Sequence, residues 1–211
     1  AGSFVYRFAL YLQKEFCDVT VVAPDDKESA ESEEFNGILV RRFKYYFKKY
    51  QRVAYGNGGI LANLRTSLHA VLKLPFFLIA MTFKTTKEIR NCDIVHCHWL
   101  PVVFPVFLAK KFTFSSAPIV LTNWGSDTRL LPLWLQRFAL KLVNGCISTA
   151  QETDQHLLRL NYTNFITAPS PIDEDKFSRQ LDEVSFKNEL DIDPGATVIS
   201  FIGRLNYFKD P

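Results

Sequence analysis

Short apolar runs and longer stretches of helical periodicity take turns along this chain. Val5, Phe8, Ala9, Leu12 and Phe16 recur at helical spacing and predict a helix over residues 4–16. Residues 18–23 (DVTVVA) predict a strand that Pro24 stops, and residues 37–43 predict another. Between them, residues 25–34 read as a solvated acidic connection. A helix or broken pair of helices follows to about Arg90, with Pro75 marking the break. Residues 93–98 (DIVHCH) predict a strand, residues 103–112 a helix, and residues 117–121 a strand buried on both faces. An amphipathic helix then carries Leu131, Trp134, Leu135, Phe138 and Leu142, with Pro132 in its first turn. Residues 145–149, 151–160 and 164–168 predict strand, helix and strand. Strand and helix alternate throughout, so the pattern predicts an α/β protein with a doubly wound parallel sheet.

The strand at 117–121 ends abruptly in Thr122-Asn123-Trp124-Gly125-Ser126-Asp127. A buried strand that empties into a polar, Gly-containing turn places side chains at the carboxyl edge of a parallel sheet, where open α/β sheets bind ligands. An ordinary strand-to-helix turn with a Ser or Asp cap accounts for the same residues without a ligand. After Pro169-Ser170-Pro171 the character changes. Residues 172–194 are charged and weakly periodic, and residues 197–202 (TVISFI) open a new buried strand. The expected division is a first domain over 1–171, a connector over 172–196 and the start of a second domain over 197–211. Residues 1–3 read as a turn with no strand ahead of it, and Pro211 follows a strand just ended. Both ends are therefore expected to be cut.

With 211 residues and 47% hydrophobic composition, the chain has enough apolar material for a sizeable core. A net charge of +3 is too small to argue for nucleic acid. The charge is unevenly spread, however. Residues 25–34 hold six acids against Lys27, whereas the stretch from Arg41 to Arg52 holds six bases and no acid. Tyr45, Tyr46, Phe47 and Tyr50 are interleaved with those bases. Two readings fit: an anionic membrane surface with rings at the headgroups, or aromatics packed back on the domain while the bases stay wet. Residues 68–81, the most apolar stretch, are interrupted by Lys73 and Pro75 and fall short of the ~20 residues that span a bilayer. Residues 55–59 form a Gly-rich turn that lacks the Lys-Ser/Thr ending of a P-loop. Cys17, Cys92, Cys97 and Cys146 suit reduced, buried thiols of a cytosolic protein. Cys92, His96, Cys97 and His98 invite a zinc reading, but a strand throws Cys97 to the face opposite both histidines.

Several motifs, in order, resemble the retaining glycosyltransferases of family 4, which have the GT-B fold of two facing Rossmann-like domains. Residues 1–3 look like the remnant of that family's glycine-rich first loop, and residues 18–24 are similar to its second strand. Residues 93–99 (DIVHCHW) match its D-x-V-H-x-H-W pattern, and residues 122–127 resemble T-x-H-G-x-D, with Trp124 where a His is common. Residues 170–177 (SPIDEDKF) look like its N-G-V-D-x-x-x-F segment. Residues 203–209 are similar to the G-R-L-x-x-x-K loop that opens the donor-binding domain. The resemblance implies a Rossmann-like first domain, lacking its first strand, followed by the first strand of a second Rossmann-like domain.

It further implies transfer of a sugar from a nucleoside diphosphate sugar to a glycan, lipid-linked or small-molecule acceptor, with retention and with no tightly bound metal or cofactor. Arg204 and Lys209 would stabilise the departing diphosphate; a surface salt bridge and a solvated lysine are the plainer account of the pair. Gly2 would allow close backbone approach beside the reaction centre. His98 would contact the acceptor, with His96 an interior residue deeper on the same face. Trp124 offers an aromatic wall and a single N–H donor beside Gly125. Asp127 either caps the following helix or hydrogen-bonds the acceptor. The family's paired glutamates are not in the chain, so it is expected to be inactive by itself. Glycolipid or polysaccharide synthesis at the cytoplasmic face of the inner membrane is the setting so implied. A non-hydrolysing UDP-sugar 2-epimerase of the same architecture and a catalytically dead sugar-binding or scaffold subunit are the alternatives.

Overall fold

The computed structural model describes residues 3–26, 29–51, 53–55, 59–125, 131–169 and 183–199. The chain divides into two compact units, Ala1–Pro171 and Ile172–Pro211. The first unit begins with helix α1 (Ser3–Lys14), followed by strands β1 (Thr20–Pro24), β2 (Ser32–Phe35) and β3 (Ile38–Phe43). Helices α2 (Ile60–Thr66) and α3 (Leu68–Glu88) lead to β4 (Val95–Cys97), α4 (Val103–Thr113) and β5 (Ile119–Asn123). Helix α5 (Leu133–Leu140), β6 (Gly145–Ser148), α6 (Gln151–Arg159) and β7 (Phe165–Thr167) complete it.

The strands form two sheets. In one, of order β1-β3-β2, β1 runs parallel to β3 and β2 antiparallel to it. The other, of order β4-β5-β6-β7, is parallel throughout. Each step between its neighbours is bridged by a helix, as a parallel pairing requires. Two apolar cores hold these layers. Cys97, Leu121 and Cys146 from the parallel sheet pack with Val103 and Val106 of α4, Ala139 and Leu140 of α5 and Leu157 of α6. Phe43, Tyr45 and Val53 pack with Phe77 and Met81 of α3. The arrangement is α/β and Rossmann-like, as the alternating pattern predicts.

Several local expectations are corrected. Phe16 does not extend the apolar stripe of α1: it is fully exposed, with φ +62°, in the left-handed residue that ends the helix. The amides of Phe16 and Cys17 close that turn on the carbonyls of Gln13 and Leu12. The acidic stretch is not merely a solvated connection. Asp25 is buried, accepting from Ser29 Oγ at 3.0 Å and Gln51 Nε2 at 3.3 Å, and β2 pairs residue by residue with β3. Arg42 pairs with Glu33, and Arg41 donates to the Ser32 hydroxyl, across that hairpin. Its turn is Asn36-Gly37, both with positive φ, the conformation a two-residue hairpin demands.

The third correction concerns Pro75, which lies inside α3 rather than at a break. The chain breaks instead at Ser67, extended at φ −138°, whose hydroxyl accepts from the Ala70 amide at 3.4 Å. Pro75 denies a donor to the Val71 carbonyl, and both residues are exposed, so solvent rather than a buried partner is what the freed group meets. The uninterrupted helix over residues 68–91 is long and apolar enough, by length and composition, to cross a membrane. Fourth, α5 buries Gln136, Ala139 and Leu140 while Trp134 and Phe138 stay exposed, and Pro132 stands at its cap. Gln136 tolerates burial because its amide donates to the Leu131 carbonyl and bonds His156 Nε2 at 2.8 Å. Among the cysteines, Cys97 and Cys146 are buried, whereas Cys17 is exposed.

In the second unit, α7 (Glu183–Glu189) is followed by a turn in which Gly195 donates to Asp193 Oδ1 at 2.8 Å. Residues 197–199, expected to open a strand, carry no strand pairing among the described residues. The rest of that expected strand lies outside them.

Candidate functional site at the carboxyl edge of the parallel sheet

Because β4, β5 and β6 are parallel and in register (Cys97 beside Leu121, Asn123 beside Ser148), their carboxyl ends open on the same edge. The sequence delivers polar groups there. Thr122 and Asn123 finish β5 fully buried, which polar side chains tolerate only with partners. Thr122 Oγ1 lies 2.7 Å from His96 Nε2 across the β4–β5 pair. Asn123 Oδ1 accepts the Gly125 amide at 3.0 Å, and the Asn123 carbonyl accepts from Thr149 Oγ1 at 3.1 Å. Gly125 turns the chain at φ +77°, and a Cβ there would stand 3.4 Å from Thr153 Oγ1.

His96 and His98 are two residues apart on β4 and its extension, so they share a face, with ring centroids 4.2 Å apart. Cys97 points the other way into the core, where burial pushes its thiol up to about 12. Helix α1 roofs the histidine face. Phe8 meets both imidazoles edge-on, at 4.9 Å from His96 and 5.5 Å from His98. Phe4 lies 4.4 Å from the Trp124 ring, and Trp124 in turn stacks on His98 at 6.2 Å. Burial pushes both imidazoles down to about 4, and the proximity of His96 adds to the effect on His98. At neutral pH each ring is therefore uncharged, with one N–H donor and one bare acceptor nitrogen.

The hydrogen bonding of the two rings differs. His96 is satisfied by Thr122, as an interior histidine should be. His98 Nδ1 and Trp124 Nε1 are both buried with no hydrogen-bond partner among the described residues. Leaving such a group unpaired costs about 1–3 kcal/mol, and here the two rings that carry them stack on one another. A hydroxyl-bearing ligand is the chemistry that would satisfy both. Among the described residues no group of three or more His, Cys, Asp or Glu side chains is positioned to hold a metal ion.

Of the residues the sequence singles out, His98, Trp124 and Gly125 are thus brought together at this edge. Gly2, Asp127, Arg204 and Lys209 lie outside the described residues. Phe4, and the contact that Phe8 makes, are additions. Their spacing of four at the start of α1 was the available signal, but a helical stripe alone reads as core. Thr122 is a further addition, visible only once register sets it beside His96.

A parallel α/β unit with its polar cluster at the carboxyl strand ends belongs to the Rossmann-like class, whose ligands enter at that edge. Within that class the chain belongs to Glycosyltransferase Family 4, whose family model matches residues 1–176. Among solved structures, that of a sucrose-phosphate synthase from Thermosynechococcus elongatus superposes with a TM-score of 0.52. The match covers 88% of this chain and 94% of that one at 14% identity, and so shows a shared fold. No curated protein matches the sequence.

Proposed function

We propose that this chain is the acceptor-side part of a retaining, metal-independent glycosyltransferase. Its donor would be a nucleoside diphosphate sugar and its acceptor a glycan, lipid-linked or small-molecule hydroxyl, in glycolipid or polysaccharide synthesis. Membership of Glycosyltransferase Family 4 supports the transferase class. The observation that carries the site assignment is the pair of unpartnered buried nitrogens, His98 Nδ1 and Trp124 Nε1. In this reading a neutral His98 hydrogen-bonds the acceptor hydroxyl that attacks the anomeric carbon, and the hydroxyl proton passes to the departing diphosphate oxygen. Trp124 Nε1 donates to a sugar hydroxyl, and its ring walls the pocket. As the anomeric C–O bond to the diphosphate breaks, negative charge gathers on the leaving group; Arg204 and Lys209 are the proposed donors that hold it. Residues 1–171 would form the acceptor domain, 172–196 the connector and 197–211 the start of the donor-binding domain. The chain alone would then be inactive.

The test uses the full-length protein with radiolabelled nucleoside diphosphate sugars and lipid and glycan acceptor fractions. Label should move to an acceptor, and His98→Ala should lower kcat/KM by about 100-fold, as loss of a group that contacts the reacting hydroxyl does. A new nucleotide sugar formed without acceptor would make the protein an isomerase instead. Binding of sugar without turnover would make it a sugar-binding subunit.

A further inference from the structure

Helix α3 leaves one side of its length uncovered. Leu68, Leu72, Phe76, Ile79 and Phe83 are spaced four, four, three and four residues apart, so they share a face, and each is more than half exposed. On another side Ala70, Phe77 and Met81 are buried, which seats the helix on its own domain. The exposed stripe does not end with the helix. Tyr46 stands 6.5 Å from Phe76 and 5.4 Å from Phe47, and both Phe47 and Tyr50 are more than half exposed. Lys73 fastens the two pieces together: its Nζ sits 4.7 Å over the Tyr46 ring and 5.7 Å over the Tyr50 ring, and it donates to the Tyr50 carbonyl at 3.0 Å.

The rim of this patch is basic. Lys44, Lys48 and Lys49 stand on the aromatic turn, with Lys44 3.9 Å from Glu31, Lys48 bonded to the Ser29 carbonyl and Lys49 near the Tyr50 ring. Residues 60–90 add Arg65, Lys73, Lys87 and Arg90, whereas Lys84 is tied to Glu31 at 3.7 Å and Glu88 stands 4.0 Å from Arg41. Arg41 and Arg42, at the start of the basic stretch, are instead occupied within the β2–β3 hairpin, Arg42 with Glu33 and Arg41 with Ser32. Apolar residues in a stripe, rings at its edge and lysines beyond them match the order of layers met on entering an anionic bilayer.

We propose that the exposed face of α3 and the turn over residues 44–50 form an in-plane docking surface for anionic lipid headgroups. Since α3 packs on β1, β3 and α4, it lies along the membrane and does not cross it. The lysines at the rim complement anionic headgroups, which favours a lipid surface over a second copy of the chain as the occupant. This surface is separate from the transferase site and stands whether or not that reading holds.

Vesicle flotation of the full-length protein tests it. The protein should float with phosphatidylcholine vesicles that contain phosphatidylglycerol and stay behind with pure phosphatidylcholine. Phe76→Ser with Ile79→Ser should weaken that binding at least about tenfold, since two large side chains no longer bury. Lys44→Gln with Lys48→Gln and Lys49→Gln should weaken it by about as much, and high salt should do the same to the unaltered protein. All these positions are exposed, so circular dichroism should match the parent. Indifference of binding to either variant, or equal floating with both vesicles, would overturn the proposal. So would a dimer in sedimentation velocity that Phe76→Ser with Ile79→Ser dissolves while no vesicle is bound.

Discussion

His98 Nδ1 and Trp124 Nε1 are buried and without a hydrogen-bond partner among the described residues, and their rings lie beside Phe8 and Phe4 of α1. The same enclosure sets the protonation of the histidines. An unfolded imidazole titrates near 6.5, whereas folded His96 and His98 titrate at about 4. Above 6.5 both states hold neutral rings and the fold has its full stability. As pH falls from 6.5 toward 4 the unfolded chain takes up protons that the folded chain refuses, so stability drops; below 4 this loss levels off. Urea midpoints measured over that range should fall with pH, and His96→Asn with His98→Asn should flatten the slope. An unchanged slope in that variant would mean the rings are hydrated. In the sequence His98 stands out through the family resemblance of residues 93–99, with His96 read as the deeper of the pair. It does not reveal the Phe4–Trp124 contact, because that depends on how α1 crosses the sheet.

At the level of elements, the short-range signals were of two kinds. Strands β1, β3, β4, β5, β6 and β7 are all legible as apolar or β-branched runs, within a residue or two of their ends; burial demands such a run in β5, whereas β7 is largely exposed. Strand β2 is not, since Ser32-Glu33-Glu34 lacks an apolar run and its pairing rests on the turn beside it. The signal there was Asn36-Gly37. Gly37 sits at φ +77°, and a Cβ on it would come 2.8 Å from Gln13 Nε2. Gly37→Ala should therefore cost about 1–2 kcal/mol, most of it backbone strain. The check is chemical denaturation in the parent and in a Gln13→Ala background. The loss should persist in both, and its disappearance with Gln13→Ala would assign it to the contact alone. Pro75 illustrates the opposite failure. Proline breaks a helix only if the freed carbonyl has nowhere to turn, and at Val71 solvent is at hand. Helix α5 misleads for a related reason: the more polar side, bearing Gln136, is buried because its amide finds two partners.

For the whole molecule, the α/β class follows from alternation alone, and the family from motifs spread along the chain, with the family model matching residues 1–176. Division of the strands into a three-stranded and a four-stranded sheet is a property of pairing, which periodicity does not report. The proposed site lies where these levels meet, at the carboxyl edge that parallel register creates. The central claim is that the unpartnered nitrogens there exist to bind hydroxyls of the acceptor or sugar. Indole NMR of the nitrogen-15-labelled full-length protein tests it most directly. On titration with the acceptor fraction that supports transfer, the signal of Trp124 should move downfield as its N–H gains an acceptor, while Trp99 and Trp134 hold still. Trp124→Phe, which deletes that signal and secures its assignment, should weaken binding about tenfold. A Trp124 signal that does not respond while sugar is being transferred would contradict the account.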